Sequence, residues 1–187
     1  MLSLHNTTNE IASNDNWQTD ANASQIPSNL QPTDVRESAI LTMLQPGEYT
    51  AIVSGKGGTS GVALVEVYDM DHSSALTRAN LSTRGVVQTG DFVMIGGVIP
   101  GGVVGSSTRV LIRAIGPSLA QFDIPGALAD PALRVVNGDG VTIAADDNWK
   151  DTQQAEIQAT GKAPADDREL AIILTLRRPL TPPLSPD

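Results

Sequence analysis

Cysteine is absent from the 187 residues. That removes disulfide frameworks, thiolate metal sites and cysteine nucleophiles from consideration. Aromatic side chains are nearly as scarce, with two Trp, two Tyr and two Phe in the whole chain. A core with so few rings must be built from Val, Ile, Leu and Ala, and β-branched side chains suit pleated sheets better than a thick helical core. Basic residues are also short, 12 against 21 acidic ones, for a net charge of −9. Nucleic acid and anionic membrane surfaces require clustered Lys and Arg, so neither is an expected partner; calcium or a basic protein surface suits the charge better. The longest uncharged run, Phe92 to Thr108, is broken by Pro100 and several glycines. It falls short of the roughly 18 continuous apolar residues of a membrane helix, and no membrane insertion is expected. The start, Met1-Leu2-Ser3-Leu4-His5, lacks the basic region and apolar core of a signal peptide.

What the chain does have is an internal repeat. Ile11-Ala12-Ser13-Asn14-Asp15-Asn16-Trp17 returns as Ile143-Ala144-Ala145-Asp146-Asp147-Asn148-Trp149, so the two tryptophans follow the same Asp-Asn pair 132 residues apart (17 to 149). Pro32-Thr33-Asp34-Val35-Arg36-Glu37-Ser38-Ala39-Ile40 recurs at the same offset as Pro164-Ala165-Asp166-Asp167-Arg168-Glu169-Leu170-Ala171-Ile172. Leu2-Ser3-Leu4 matches Leu133-Arg134-Val135 at an offset one residue smaller, which puts one inserted residue between the blocks. Such a period is too long for a solenoid unit and has the size of a domain.

Turn residues divide the chain into short elements. Leu2–Leu4 and Glu10–Ala12 read as a hairpin across Asn6–Asn9, and residues 16–34 as a long surface loop with a helical turn near Ala23–Ile26. Strands are expected at Glu37–Leu44, Tyr49–Val53 and Val62–Tyr68, the last two flanking the glycine-rich loop Gly55–Gly61. Further strands are expected at Asn80–Val87, Asp91–Ile99 and Thr108–Ile115, and a short helix within Asp151–Thr160. After Leu176 the second copy runs into Pro179, Pro182, Pro183 and Pro186, which excludes a central strand. The second copy is therefore expected to lack partners for its strands.

Residues 2–71, with their Leu-x-Leu strand, Ile-Ala-x-Asn-Asp corner and Pro-Gly-Glu-Tyr strand start, resemble the bacterial pre-peptidase C-terminal domain; residues 133–176 resemble only its first half. The resemblance implies an all-β fold, a jelly-roll-like antiparallel β-sandwich. The organisation expected is a sandwich module at 1–72, a linker at 73–80, a second β-rich segment at 81–132, a partial second copy at 133–176 and a disordered proline-rich tail at 177–187. It also implies an extracellular or cell-surface repeat protein of bacteria, non-catalytic and adhesive or structural in role. Neighbouring repeats of the parent protein would be its partners. Relatives of this kind are appended to secreted hydrolases or bind polysaccharide or matrix proteins such as collagen, so calcium-dependent binding of such a ligand and an accessory role beside a hydrolase stand as alternatives.

Two sets of residues carry candidate chemistry. Asp15, Asn16, Asp20 and Glu37, repeated as Asp147, Asn148, Asp151 and Glu169, could supply the six to eight oxygens that calcium requires. The same Asp residues could equally cap turns through their own backbone, and Arg36 or Glu37 could form a structural ion pair. Trp17 and Trp149 could be stacking platforms for sugar rings, or core residues in a module poor in large side chains. Enzymatic signals are thin. His5 and His72 have no partner at ligand spacing, Gly116-Pro117-Ser118-Leu119-Ala120 lacks the second glycine of a nucleophile elbow, and Gly55–Gly61 lacks phosphate-loop spacing.

Overall fold

The computed structural model describes residues 1–70, 80–99 and 105–177. It is β-rich, with seven strands and one short α-helix among the described residues, and it divides into two compact units, Met1–Arg78 and Ala79–Asp187.

The first unit holds a three-stranded antiparallel sheet in the order β2-β1-β3, made from β1 (Leu2–His5), β2 (Glu10–Asn14) and β3 (Thr50–Val53). The β1–β2 turn forms because the Asn6 side chain stands in for a backbone acceptor. Its Oδ1 takes hydrogen bonds from the backbone N–H of Thr8 at 2.9 Å and of Asn9 at 2.7 Å. Three short 3-10 turns follow at Trp17–Thr19, Ala23–Gln25 and Ser28–Leu30, and they carry the polar loop round to Glu37.

The second unit repeats the hairpin. Strands β5 (Leu133–Val136) and β6 (Thr142–Asp146) pair as β1 and β2 do: Leu133 faces Asp146 as Leu2 faces Asn14, and the register slips at Val135/Val136 as it does at Leu4/His5. Asn137 turns this loop as Asn6 turns the first, its Oδ1 accepting from Asp139 N and Val141 N. The inserted residue is absorbed here, where Gly140 adopts a left-handed φ of 77° that a side chain would resist.

The rest of the second unit is built on β4 (Ser107–Ala114) and β7 (Leu170–Arg177), antiparallel from Ser107↔Arg177 to Ala114↔Leu170. Helix α1 (Gln154–Ala159) lies against this pair and ends at Thr160 and Gly161, whose φ is 67°. Trp149, Ile157, Ala171 and Ile173 form the buried cluster, with Leu111 and Ala163 packed on it. A second tie holds β7: the Gln153 side-chain amide donates to the Ile173 carbonyl at 3.1 Å and accepts from the Ile173 N–H at 2.8 Å.

Several expectations are corrected. The second copy does not leave its last strand unpaired, because β4, from ahead of the repeated block, supplies the partner. Glu37–Leu44, Val62–Tyr68, Asn80–Val87 and Asp91–Ile99 are not strands; the last contains only a 3-10 turn at Gly90–Phe92. Alternating apolar residues make a strand only where a neighbouring edge accepts them. No such edge reaches these segments among the described residues, and Val62, Leu64, Val86 and Ile95 stay more than four-fifths exposed. Almost all of the expected linker at 73–80 and nearly all of the tail at 177–187 lie outside the described residues.

Candidate functional site: the Asp-Asn-Trp corner and its glutamate

Both copies build the same corner with the same bonds. The Trp17 N–H donates to the Glu37 carbonyl at 2.8 Å, and the Trp149 N–H donates to the Glu169 carbonyl at 3.0 Å. The Glu N–H then closes a turn on the Asp34 carbonyl at 3.1 Å in one copy and on the Asp166 carbonyl at 3.2 Å in the other. Arg36 grips the Asp34 carboxylate through Nε at 3.0 Å and Nη2 at 2.6 Å, and Arg168 grips Asp166 at 2.9 Å and 2.8 Å. A two-pronged guanidinium contact stabilises the charged carboxylate, and it holds both Asp34 and Asp166 at a pKa of about 2, below their ordinary value of 3.8.

The copies differ at the glutamate carboxylate. Glu37 is exposed, and its Oε2 accepts only a long 3.4 Å bond from Asp34 N. Glu169 is fully buried. Its Oε1 accepts from the backbone N–H of Gly116 at 3.1 Å, the N–H of Ser118 at 2.9 Å and the Ser118 hydroxyl. The segment dismissed above as a nucleophile elbow is thus a cradle for a buried carboxylate. Gly116 is required at this point: a Cβ there would lie 2.2 Å from the Leu128 carbonyl oxygen. Such burial of a charge is tolerable only with full hydrogen-bond compensation, which these donors supply. The signal in the sequence was the recurrence of Glu after Arg, but nothing in it paired Glu169 with Gly116-Pro117-Ser118.

Several of the residues proposed as calcium ligands are drawn into separate contacts. Asp15 forms an ion pair with Lys56, which lowers its pKa, and lies 3.9 Å from the Met1 amino group. Asp20 accepts from Asn22 N at 2.7 Å, the Asn16 carbonyl accepts from Thr19, and Asn148 reaches Asp151 at 3.4 Å. The Asp147 N–H donates to the neighbouring Asp146 carboxylate at 2.9 Å. Among the described residues no three acidic or imidazole groups gather where they could hold a metal ion.

The tryptophans are 9% and 4% exposed, in keeping with the core-residue alternative of the two given above. Trp149 packs on Ile157 and Ile173, with the Lys150 ammonium 5.4 Å from its ring centre and paired to Asp167. Neither indole N–H has an acceptor among the described residues.

One arrangement that spacing did not reveal involves His5, whose Nε2 lies 3.0 Å from Ser3 Oγ and 3.8 Å from Glu10 Oε2. A nucleophile relay needs the acid on the ring nitrogen opposite the serine, and here both partners share one nitrogen. An open depression of about 440 Å³ beside β5 and β6 is lined by Ala132, Leu133, Arg134, Ala145, Asp146 and Asp147. Asp146 within it is spent on Asp147 N and Thr152 Oγ1. No family model, no curated protein and no solved structure matches the chain.

Proposed function

We propose that the chain is a non-catalytic module of a bacterial repeat array, serving a structural or adhesive role outside the cell. The observation that carries this reading is the corner itself. It is built twice with the same backbone bonds and the same Arg–Asp grip, and Asp15, Asp34, Asp166 and Glu169 are engaged by protein donors. Groups arranged to bind or transform a ligand converge on a shared space and keep free valences; these four carboxylates are taken up in contacts within the protein. The extracellular setting comes from the resemblance of residues 2–71 to the pre-peptidase C-terminal domain. The finer fold, a jelly-roll-like sandwich, belongs to the same proposal. It is supported by the β2-β1-β3 sheet and by the exposed apolar side chains of Val62, Leu64 and Val67, which a second layer would cover.

The test is a glycan and matrix-protein array probed with the chain, run beside melting curves in calcium and in EDTA. No specific capture and superimposable melting curves are expected. Specific capture, or a melting temperature raised by calcium, would replace the structural reading with the ligand-binding one.

A further inference from the structure

We infer that the segment Ser38–Leu44, with Glu37 at its head, is an acceptor site for a strand like Ser107–Leu119 supplied by another repeat of the same kind. The inference rests on the reading of the chain as a module of an array. Ser38–Gln45 is the counterpart of β7 at the repeat offset. In the second copy that strand has two ties, Gln153 on the Ile173 backbone and the β4 ladder. The first copy keeps the former in altered form, because Asn22 Nδ2 donates to the Leu41 carbonyl at 2.9 Å. It has no equivalent of the latter: among the described residues no strand pairs with Ser38–Leu44.

The consequences run along the segment. Leu170 to Ile173 are buried, whereas their counterparts Ser38 to Leu41 are only half-buried, and Met43 is 89% exposed. Glu169 has three donors from the Gly116–Ser118 turn, while Glu37 faces solvent. The occupant follows from the seated copy. A strand in β4 register would set Leu111 opposite Leu41 and Ile112 opposite Ile40, and its Gly-Pro-Ser turn would deliver two N–H groups and a hydroxyl to Glu37. Strand addition of this kind draws affinity from main-chain hydrogen bonds and specificity from alternate side chains. Charge agrees, since Ser107–Leu119 carries Arg109 and Arg113 and no acid, while residues 1–53 hold six acidic residues and one arginine.

The test uses the full chain and a fluorescent synthetic peptide of sequence Ser107–Leu119. Saturable binding is expected, with slowed amide hydrogen exchange across Ala39–Leu44. Glu37→Ala should weaken it by at least about ten-fold, and Glu169→Ala should leave it intact. A peptide carrying Ser118→Ala, which lacks the hydroxyl donor, should lose affinity with the protein unaltered, which guards against a variant that merely misfolds. Absence of binding overturns the inference. So does binding that survives Glu37→Ala and disappears with Glu169→Ala, for the peptide would then be replacing β4 in the second unit. Neither result touches the array and melting experiments above, so failure of the strand site and failure of the structural reading are told apart.

Discussion

Glu169 shows how much one side chain can organise. A carboxylate with no solvent contact survives because Gly116, Ser118 and Asp166 all donate to it. Removing it leaves buried N–H groups without an acceptor, and hydrogen bonds to a charged group contribute about 1.5–3 kcal/mol each. Glu169→Ala should therefore lower stability by roughly 3 kcal/mol or more in chemical denaturation. Glu37→Ala, at an exposed carboxylate, should change it by less than about 0.5 kcal/mol. Gly116→Ala should be nearly as damaging as Glu169→Ala, because the added methyl meets the Leu128 carbonyl and pushes the donor turn away. The Arg-gripped acids make a different prediction. Asp34 and Asp166 titrate near 2 in the folded chain against an ordinary 3.8. A folded pKa below the unfolded one means that the stabilisation is complete above about pH 4 and is lost as pH falls through about 2. Both carboxylates are partly open to solvent, which screens the pairing, so the effect on stability is small. Carboxyl chemical shifts followed by NMR should give midpoints near 2, and Arg36→Ala or Arg168→Ala should move the matching midpoint toward the ordinary value.

At the scale of elements, similar sequences reach different degrees of burial through their partners. Trp17 and Trp149 follow the same Asp-Asn pair and donate to equivalent carbonyls. Only Trp149 joins a buried cluster with Ile157, Ala171 and Ile173. Trp149→Ala should cost about 3–5 kcal/mol, in the range for a large aromatic removed from a core. Trp17→Ala should cost clearly less, and paired denaturation curves measure the difference. The first hairpin was legible in the polar turn Asn6–Asn9, and the repeat carried the same expectation to its second copy. The helix falls at Gln154–Ala159, inside the Asp151–Thr160 stretch expected to hold one. The segments at Val62–Tyr68 and Asn80–Ile99 carry strand composition yet form no strand, because composition does not supply an edge to pair with.

For the molecule as a whole, the ties on β7 and the open state of Ser38–Leu44 predict uneven protection. Native-state hydrogen exchange should show β4 and β7 amides among the slowest and Ile40–Leu44 amides among the fastest, as paired and unpaired backbone require. Comparable rates in the two segments would contradict the assignment of an open acceptor edge. Apolar residues of the 60–70 and 80–99 stretches, among them Val62, Leu64, Val86 and Ile95, are exposed as well.

The sequence by itself determined the β-rich composition, the repeat and its one-residue insertion, the Asn-based turns and the recurring Asp-Asn-Trp corner. Each rests on residues within a few positions of one another, where side-chain and backbone preferences act directly. Only the tertiary structure decided that Glu169 is buried, that Gly116 and Ser118 serve it, that the tryptophans face inward and that β7 has a partner while its counterpart has none among the described residues. Those outcomes depend on contacts between residues some fifty positions apart (114 to 170, 118 to 169). The shared motif carries no information about which copy will find a strand to pair with.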